Sequence, residues 1–268
     1  MSNLTATVKH VRSGVFHVVC LDSVGNRISS GSAFMSKGYL VTNGHVFDTP
    51  PQTSRVWLRR DEHTAWDQGV FLRRKEFERR RVVASPADEY DYAVLDIPEL
   101  MKFSPYQFEV TSHETKSVGE QVAFLGYPLE HMNLTCHVGI ISSFYRRGPV
   151  DVIQIDASVN PSNSGGPLFD VTTGSVVGIV TRKATGLTDL FKTLCQTIEN
   201  NIRILNGMGM DMEMGGISIK QVLAAGQAQI LSTLDQIERS ANVGIGYAFS
   251  CKHLLEEADF SQRQATGD

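Results

Sequence analysis

No uninterrupted apolar run in this sequence is long enough to cross a bilayer, so none of its segments is expected to span a membrane as a helix. The first residues, Met1-Ser2-Asn3-Leu4-Thr5, are polar and lack the apolar stretch of a secretory signal. An excess of charge is also missing. Lys and Arg total 25 against 29 Asp and Glu, a formal net charge of -4, so nothing pulls the chain as a whole toward nucleic acid or an anionic membrane. Cysteine is scarce: four residues, Cys20, Cys136, Cys195 and Cys251, with neither metal-ligand nor redox spacing. They read as small buried side chains in a reducing, cytoplasmic compartment. His131, near Cys136 and His137, fits no metal pattern, and the sequence implies no metal and no cofactor.

What is present is enough apolar material, 41% of 268 residues, for one large core or two moderate ones. The first two-thirds is written in short strand-like segments: Val15–Leu21, Ile28–Met35, Tyr39–His45, 55–58, 70–72, 81–84 and Tyr92–Ile97. A second set follows at 121–125, 137–145, 152–157, 175–181 and 243–249. Many short strands with regular turns predict a mainly β protein built of barrels. The second set is interrupted. Leu187, Leu190, Phe191, Leu194, Ile198, Ile202 and Leu205 recur at helical spacing. Ser218 can cap a second helix bearing Ile219, Val222, Leu223, Ile230, Leu234 and Ile237. Residues 186–240 are therefore expected to form a helical hairpin inserted between barrel strands. Its linker carries Met208, Met210, Met212 and Met214, either packed on the hairpin or forming an adaptable docking surface.

The chemistry concentrates in three segments. Asn163-Ser164-Gly165-Gly166-Pro167 places a serine on a turn between apolar stretches, as an activated nucleophile requires. Thr42-Asn43-Gly44-His45-Val46 offers a base. Asp91-Tyr92-Ala93-Val94-Leu95 offers a carboxylate to orient it, with Asp88, Glu89 and Asp96 as nearby alternatives. Period-two alternation puts Asp91, Ala93 and Leu95 on one strand face. The order His, Asp, Ser is far more specific than any one segment.

On these segments, with Gly31-Ser32-Ala33-Phe34 and Asp156–Leu168, the chain resembles the trypsin-like serine peptidases, closest to the HtrA (Deg) type and without a PDZ domain. The resemblance covers residues 15–181 and resumes at 242–255. It implies two six-stranded antiparallel β-barrels of the chymotrypsin type, at 1–110 and 111–268, with the cleft between them and the hairpin interrupting the second. It implies that His45, Asp91 and Ser164 form a catalytic triad, and that the amides of Ser162, Asn163 and Ser164 supply an oxyanion hole. Ser162 stands where the family usually has glycine, which raises the question of whether the hole is formed at rest. Asn163 replaces the aspartate with which digestive trypsins bind a freshly cut N-terminus, so activation by such cleavage is not expected. Ser158, Thr181 and Tyr247 would line the substrate side. Ser158 sits where selection for Arg or Lys needs a carboxylate, so a small or apolar P1 residue is expected.

The expected activity is hydrolysis of peptide bonds in protein or peptide substrates, with the hairpin regulating the enzyme or recruiting substrate or an activator. The alternative is a catalytically silent protease fold used as a binding or oligomer-forming assembly module. The basic run Arg73-Arg74-Lys75 and Arg79-Arg80-Arg81 reads as a solvated hairpin face, with a phosphate- or acid-binding patch as the alternative. Residues 259–268 read as a polar tail.

Overall fold

The computed structural model describes residues 4–60, 69–103, 106–128, 132–183, 189–207, 209, 213–214, 216–240 and 244–261. It divides into two compact units, one of residues 1–183 with 244–268 and one of residues 184–243.

The first unit holds two sheets. Strands β1 (Val15–Leu21), β2 (Arg27–Ser36), β3 (Tyr39–Thr42), β4 (Arg55–Arg59), β5 (Val70–Arg73), β6 (Arg81–Ser85) and β7 (Tyr92–Leu95) form a seven-stranded sheet in the order β5-β4-β1-β2-β3-β7-β6. Its strand pairs are antiparallel. Strand β1 shows why it curls. It is buried along its whole length, and period two sends Phe16, Val18 and Cys20 into one core with Met35, Leu40, Val56 and Leu95. Its other face sends Val15 toward the second sheet and Val19 and Leu21 onto Trp57.

The seven segments expected here from the sequence pattern all form strands, one more than the six that the resemblance implies, and the sheet stays open between β5 and β6. Helix α3 (Arg74–Arg79) joins these two edges, so its backbone groups bond within a helical turn instead of a ladder. The same helix revises the reading of the basic run as a purely solvated face. Phe77 is fully buried in the first core, 5.4 Å from the Phe47 ring, while Arg74 pairs with Glu78 and Arg80 with Glu76 and Glu99.

Strands β8 (Gln121–Gly126), β9 (Thr135–Arg147), β10 (Val150–Asp156), β11 (Pro167–Asp170), β12 (Val176–Lys183) and a last strand, Ile245–Ser250, close a six-stranded barrel. Its interior is Val122, Phe124, Ile141, Ile153, Ile155, Leu168, Val177, Val180 and Ala248, with Val159 of the following loop. Strand β11 begins at Pro167, the last residue of the serine turn, and is not among the strands expected from the sequence.

A third core joins the two sheets. It brings Val15, Phe34, Val41 and Val94 against Ala123, Leu125, Tyr127, Phe169 and Val176. Helix α1 (Leu4–Val11) and the segment 251–261 seal it through Val11, Cys251, Leu254 and Phe260. Phe260 is fully buried in a helical turn, Ala258–Ser261, so the expected polar tail begins later than residue 259.

The second unit contains helices Asp189–Gly207 and Ile219–Ser240, packed along each other, and a two-stranded ladder pairing Glu213 with Ser218 and Met214 with Ile217. Ser218 Oγ accepts the N–H of Gln221 at 3.0 Å, the N-cap bond expected of it. Ile198 is buried, whereas Leu194, Ile204, Val222, Leu223, Ile230 and Ile237 remain exposed. Met208, Met210 and Met212 lie outside the described residues.

Candidate active site

The three sequence-predicted residues converge at the junction of the two sheets. Tyr39–Thr42 ends at Asn43, and the chain turns into a short helix, Gly44–Phe47, that carries His45. The strand expected to run to His45 therefore stops three residues earlier. Gly44 is required for closeness: a Cβ there would lie 2.5 Å from the Ser85 carbonyl oxygen.

Asp91 does not belong to a strand face with Ala93 and Leu95. It precedes β7 with φ of 51°, a left-handed conformation that aspartate tolerates better than most residues. Its backbone is clamped there, the N–H donating to Pro86 O at 3.1 Å and the carbonyl accepting from Asn43 Nδ2 at 2.8 Å. The buried carboxylate takes three kinds of donor. His45 Nδ1 lies 2.9 Å from Oδ2 and 3.0 Å from Oδ1, His45 N–H donates to Oδ1 at 2.9 Å, and Thr181 Oγ1 donates to Oδ2 at 3.0 Å. Among the described residues, Asp88, Glu89 and Asp96 make no such contact with His45. With Nδ1–H facing the carboxylate, Nε2 is the nitrogen left as base.

Ser164 and His45 line one cavity of about 330 Å³, with Val18, Cys20, Ser29, Ser30, Gly31, Val46 and Ser162 among its walls. The Ser164 hydroxyl is not bonded to His45. It donates to the Thr181 carbonyl oxygen at 2.7 Å. Thr181 thus touches both Asp91 and Ser164. It can do so because it is the bulge residue between the pairs Val180–Ala248 and Arg182–Tyr247, where the ladder is interrupted.

The loop before Ser164 bears on the question raised by Ser162. That residue has φ of 72°, the region glycine prefers. The Asn163 N–H is turned back onto Asn160 O at 3.1 Å, whereas the N–H groups of Ser162 and Ser164 have no protein acceptor among the described residues. The loop is gripped by β2. Ser32 N–H donates to Ser164 O at 2.7 Å, Ser32 Oγ donates to Ser162 O at 2.8 Å, and the Ser30 and Ser162 hydroxyls lie 2.9 Å apart. The approach is so close that a Cβ at Gly165 would stand 2.0 Å from Ser32 O. Asn163 is wholly buried beneath, its amide unpartnered among the described residues.

The three residues expected on the substrate side go to different places. Thr181 joins the site from within. Ser158 is exposed on the loop after β10. Tyr247 packs against the outer cluster of Val150, Val152 and Phe249, its ring 6.1 Å from that of Tyr145. None of the three lines the 330 Å³ cavity. Ser30 and Ser32 were not singled out for the site from sequence, since no spacing signals a bond across 130 residues or more of chain.

Residues 29–179 match the trypsin-like peptidase domain. The chain belongs to that family. It is 36% identical over 160 residues to a probable periplasmic serine endoprotease DegP-like of Bartonella henselae, covering 58% of this chain and 28% of that one. An uncharacterized protein, y4bJ, of Sinorhizobium fredii is 29% identical over 237 residues, covering 85% of this chain and 33% of that one. This peptidase-family chain thus spans about a quarter to a third of the length of these curated relatives. Among solved structures, the HtrA-type protease AlgW with a tripeptide superposes with a TM-score of 0.58 over 95% of this chain and 62% of that one, at 22% identity. That likeness is one of fold.

Proposed function

We propose that the protein is a serine endopeptidase in which Ser164 is the nucleophile, His45 the general base and acid, and Asp91 the group that orients it. The observation that carries this reading is the Nδ1–carboxylate contact of 2.9 Å between His45 and buried Asp91, in the cavity that Ser164 also lines. For attack, the Ser164 hydroxyl turns from the Thr181 carbonyl to His45 Nε2. Its oxygen bonds the scissile carbonyl carbon as the proton passes to Nε2. The resulting oxyanion is met by the N–H groups of Ser162 and Ser164. The C–N bond then breaks, His45 protonates the departing amine, and the acyl-enzyme is hydrolysed by water through the same base.

A small or apolar P1 residue is proposed because Ser158, and no carboxylate, stands where selection for Arg or Lys needs one. The four free cysteines support work in a reducing compartment, although the relatives carry periplasmic names. The 184–243 unit is proposed to recruit protein substrate, an activator or further copies of the chain through its exposed apolar residues.

One observation favours a second reading, a silent protease fold: the serine is bonded to a carbonyl and not to histidine. A fluorophosphonate probe separates the two. Labelling of wild type but not of Ser164→Ala, with cleavage of a short peptide by wild type only, is the expected result. A folded wild-type protein that is neither labelled nor hydrolytic establishes the silent reading. Replacing Met208, Met210, Met212 and Met214 by serine is expected to spare peptide cleavage and impair cleavage of a folded substrate.

A further inference from the structure

We propose that Ser30 is a positioning residue for the oxyanion-binding peptide, its hydroxyl holding Ser162 in the left-handed conformation that this chain must adopt without glycine. The proposal rests on the peptidase reading above and concerns how its anion site is kept in shape. A serine at φ of 72° is disfavoured because its Cβ crowds the backbone, so the conformation persists only where neighbours over-determine it. Here two neighbours do so, and both come from β2. Ser32 Oγ fixes the Ser162 carbonyl at 2.8 Å, and Ser30 Oγ fixes the Ser162 side chain at 2.9 Å. Residues 30 and 32 share a strand face by the period of two, which is why one strand supplies both contacts.

The geometry makes the two contacts complementary. Pinning the carbonyl sets the peptide plane between residues 162 and 163. Pinning Oγ sets the side-chain direction from the same Cα. With those two directions fixed, only rotation about N–Cα is left to aim the Ser162 N–H.

Ser32 is itself held on several sides. It is fully buried, its hydroxyl accepts the Tyr127 N–H at 3.0 Å, and its carbonyl accepts Thr42 Oγ1 at 2.7 Å. Ser30 is half-buried, and both it and Ser162 line the cavity with His45 and Ser164. A glycine at 162 would need no such hold. It would have no side chain to anchor and no Cβ to be crowded. The serine and its partner therefore work as a pair.

A four-protein cycle tests this: wild type, Ser30→Ala, Ser162→Gly and the double variant, each as the full chain. Wild type and Ser164→Ala are first compared on a short peptide. If wild type does not cleave it, the peptidase reading fails, and thermal midpoints of the same four proteins still judge the Ser30–Ser162 pair. A lost oxyanion donor costs ~10²–10³ in kcat, so loosening one is expected to lower kcat of Ser30→Ala ~10-fold with KM unchanged. In the Ser162→Gly background the same change should leave kcat within about twofold. The midpoint should fall for Ser30→Ala alone and not for Ser30→Ala added to Ser162→Gly. Equal losses in both backgrounds, by either readout, overturn the proposal, as does an unchanged kcat in Ser30→Ala. Should Ser30→Ala alone fail to fold, recovery of folding in the double variant supports the pair, and failure of both overturns it.

Discussion

In the proposed mechanism the Ser164 hydroxyl must leave the Thr181 carbonyl before His45 can take its proton. Ser164→Ala and His45→Ala are each expected to abolish hydrolysis of a short peptide while keeping the wild-type melting profile. The double variant should be little worse than either single one, because the residues act as a unit; steady-state rates on purified proteins check this. Thr181 belongs to the same machinery through its bond to Asp91. A hydrogen bond to a charged group contributes about 1.5–3 kcal/mol. Thr181→Val should therefore lower kcat/KM by roughly 10- to 100-fold, and Thr181→Ser, which keeps the hydroxyl, should recover most of it. His45, Asp91 and Ser164 were legible in the sequence because each sits in a short motif whose residue types the chemistry dictates. Thr181, Ser30 and Ser32 act through bonds that reach across 17 to 132 residues, and no local pattern encodes such a reach.

At the scale of elements, the strands were readable where apolar residues ran together or alternated over several positions, as in β1 and β10. Strand β11 escaped because its four residues follow directly on a glycine-rich turn. Helix α3 escaped because its single apolar anchor, Phe77, leaves no period to detect. Phe260 was lost in polar surroundings for the same reason. Asp91 was misplaced onto a strand because the left-handed turn before β7 leaves no trace in residue type. The hairpin was readable because helical spacing extends over many turns. Its second helix starts on the Ser218 cap, and Ser218→Ala is expected to cost about 1 kcal/mol locally. Hydrogen exchange of the amides around 219–225 should quicken accordingly, with hydrolysis of a short peptide unchanged.

At the scale of the molecule, stability should depend on pH through a residue remote from the chemistry. His17 is fully buried, its ring stacked 4.5 Å from that of Tyr127 with neither nitrogen hydrogen-bonded among the described residues. Desolvation first, then the nearby Arg59 and Arg27, lower its pKa from 6.5 to about 3. The unfolded chain binds this proton more readily than the folded one. The contribution is therefore complete above about pH 6.5 and is lost as pH falls toward 3, by roughly 1.4 kcal/mol per unit. Denaturant melts at pH 7 and pH 4.5 should show wild type losing more stability than His17→Phe, which keeps the ring stack and cannot titrate.

The seal on the inter-sheet core also sets an order in time. Cys251, Leu254 and Phe260 complete that core, His253 lies against the Tyr90 ring at 3.8 Å, and Tyr92 bonds Glu257, so the segment braces both neighbours of Asp91. During vectorial synthesis His45, Asp91 and Ser164 all emerge, and the whole hairpin after them, before this brace exists. On the proposed mechanism, a nascent chain is thus expected to carry His45, Asp91 and Ser164 without an active cleft until residue 260 is in place. A chain halted after Ser250 is expected to escape fluorophosphonate labelling that the full chain undergoes, and equal labelling of the two would show that the cleft matures without its brace.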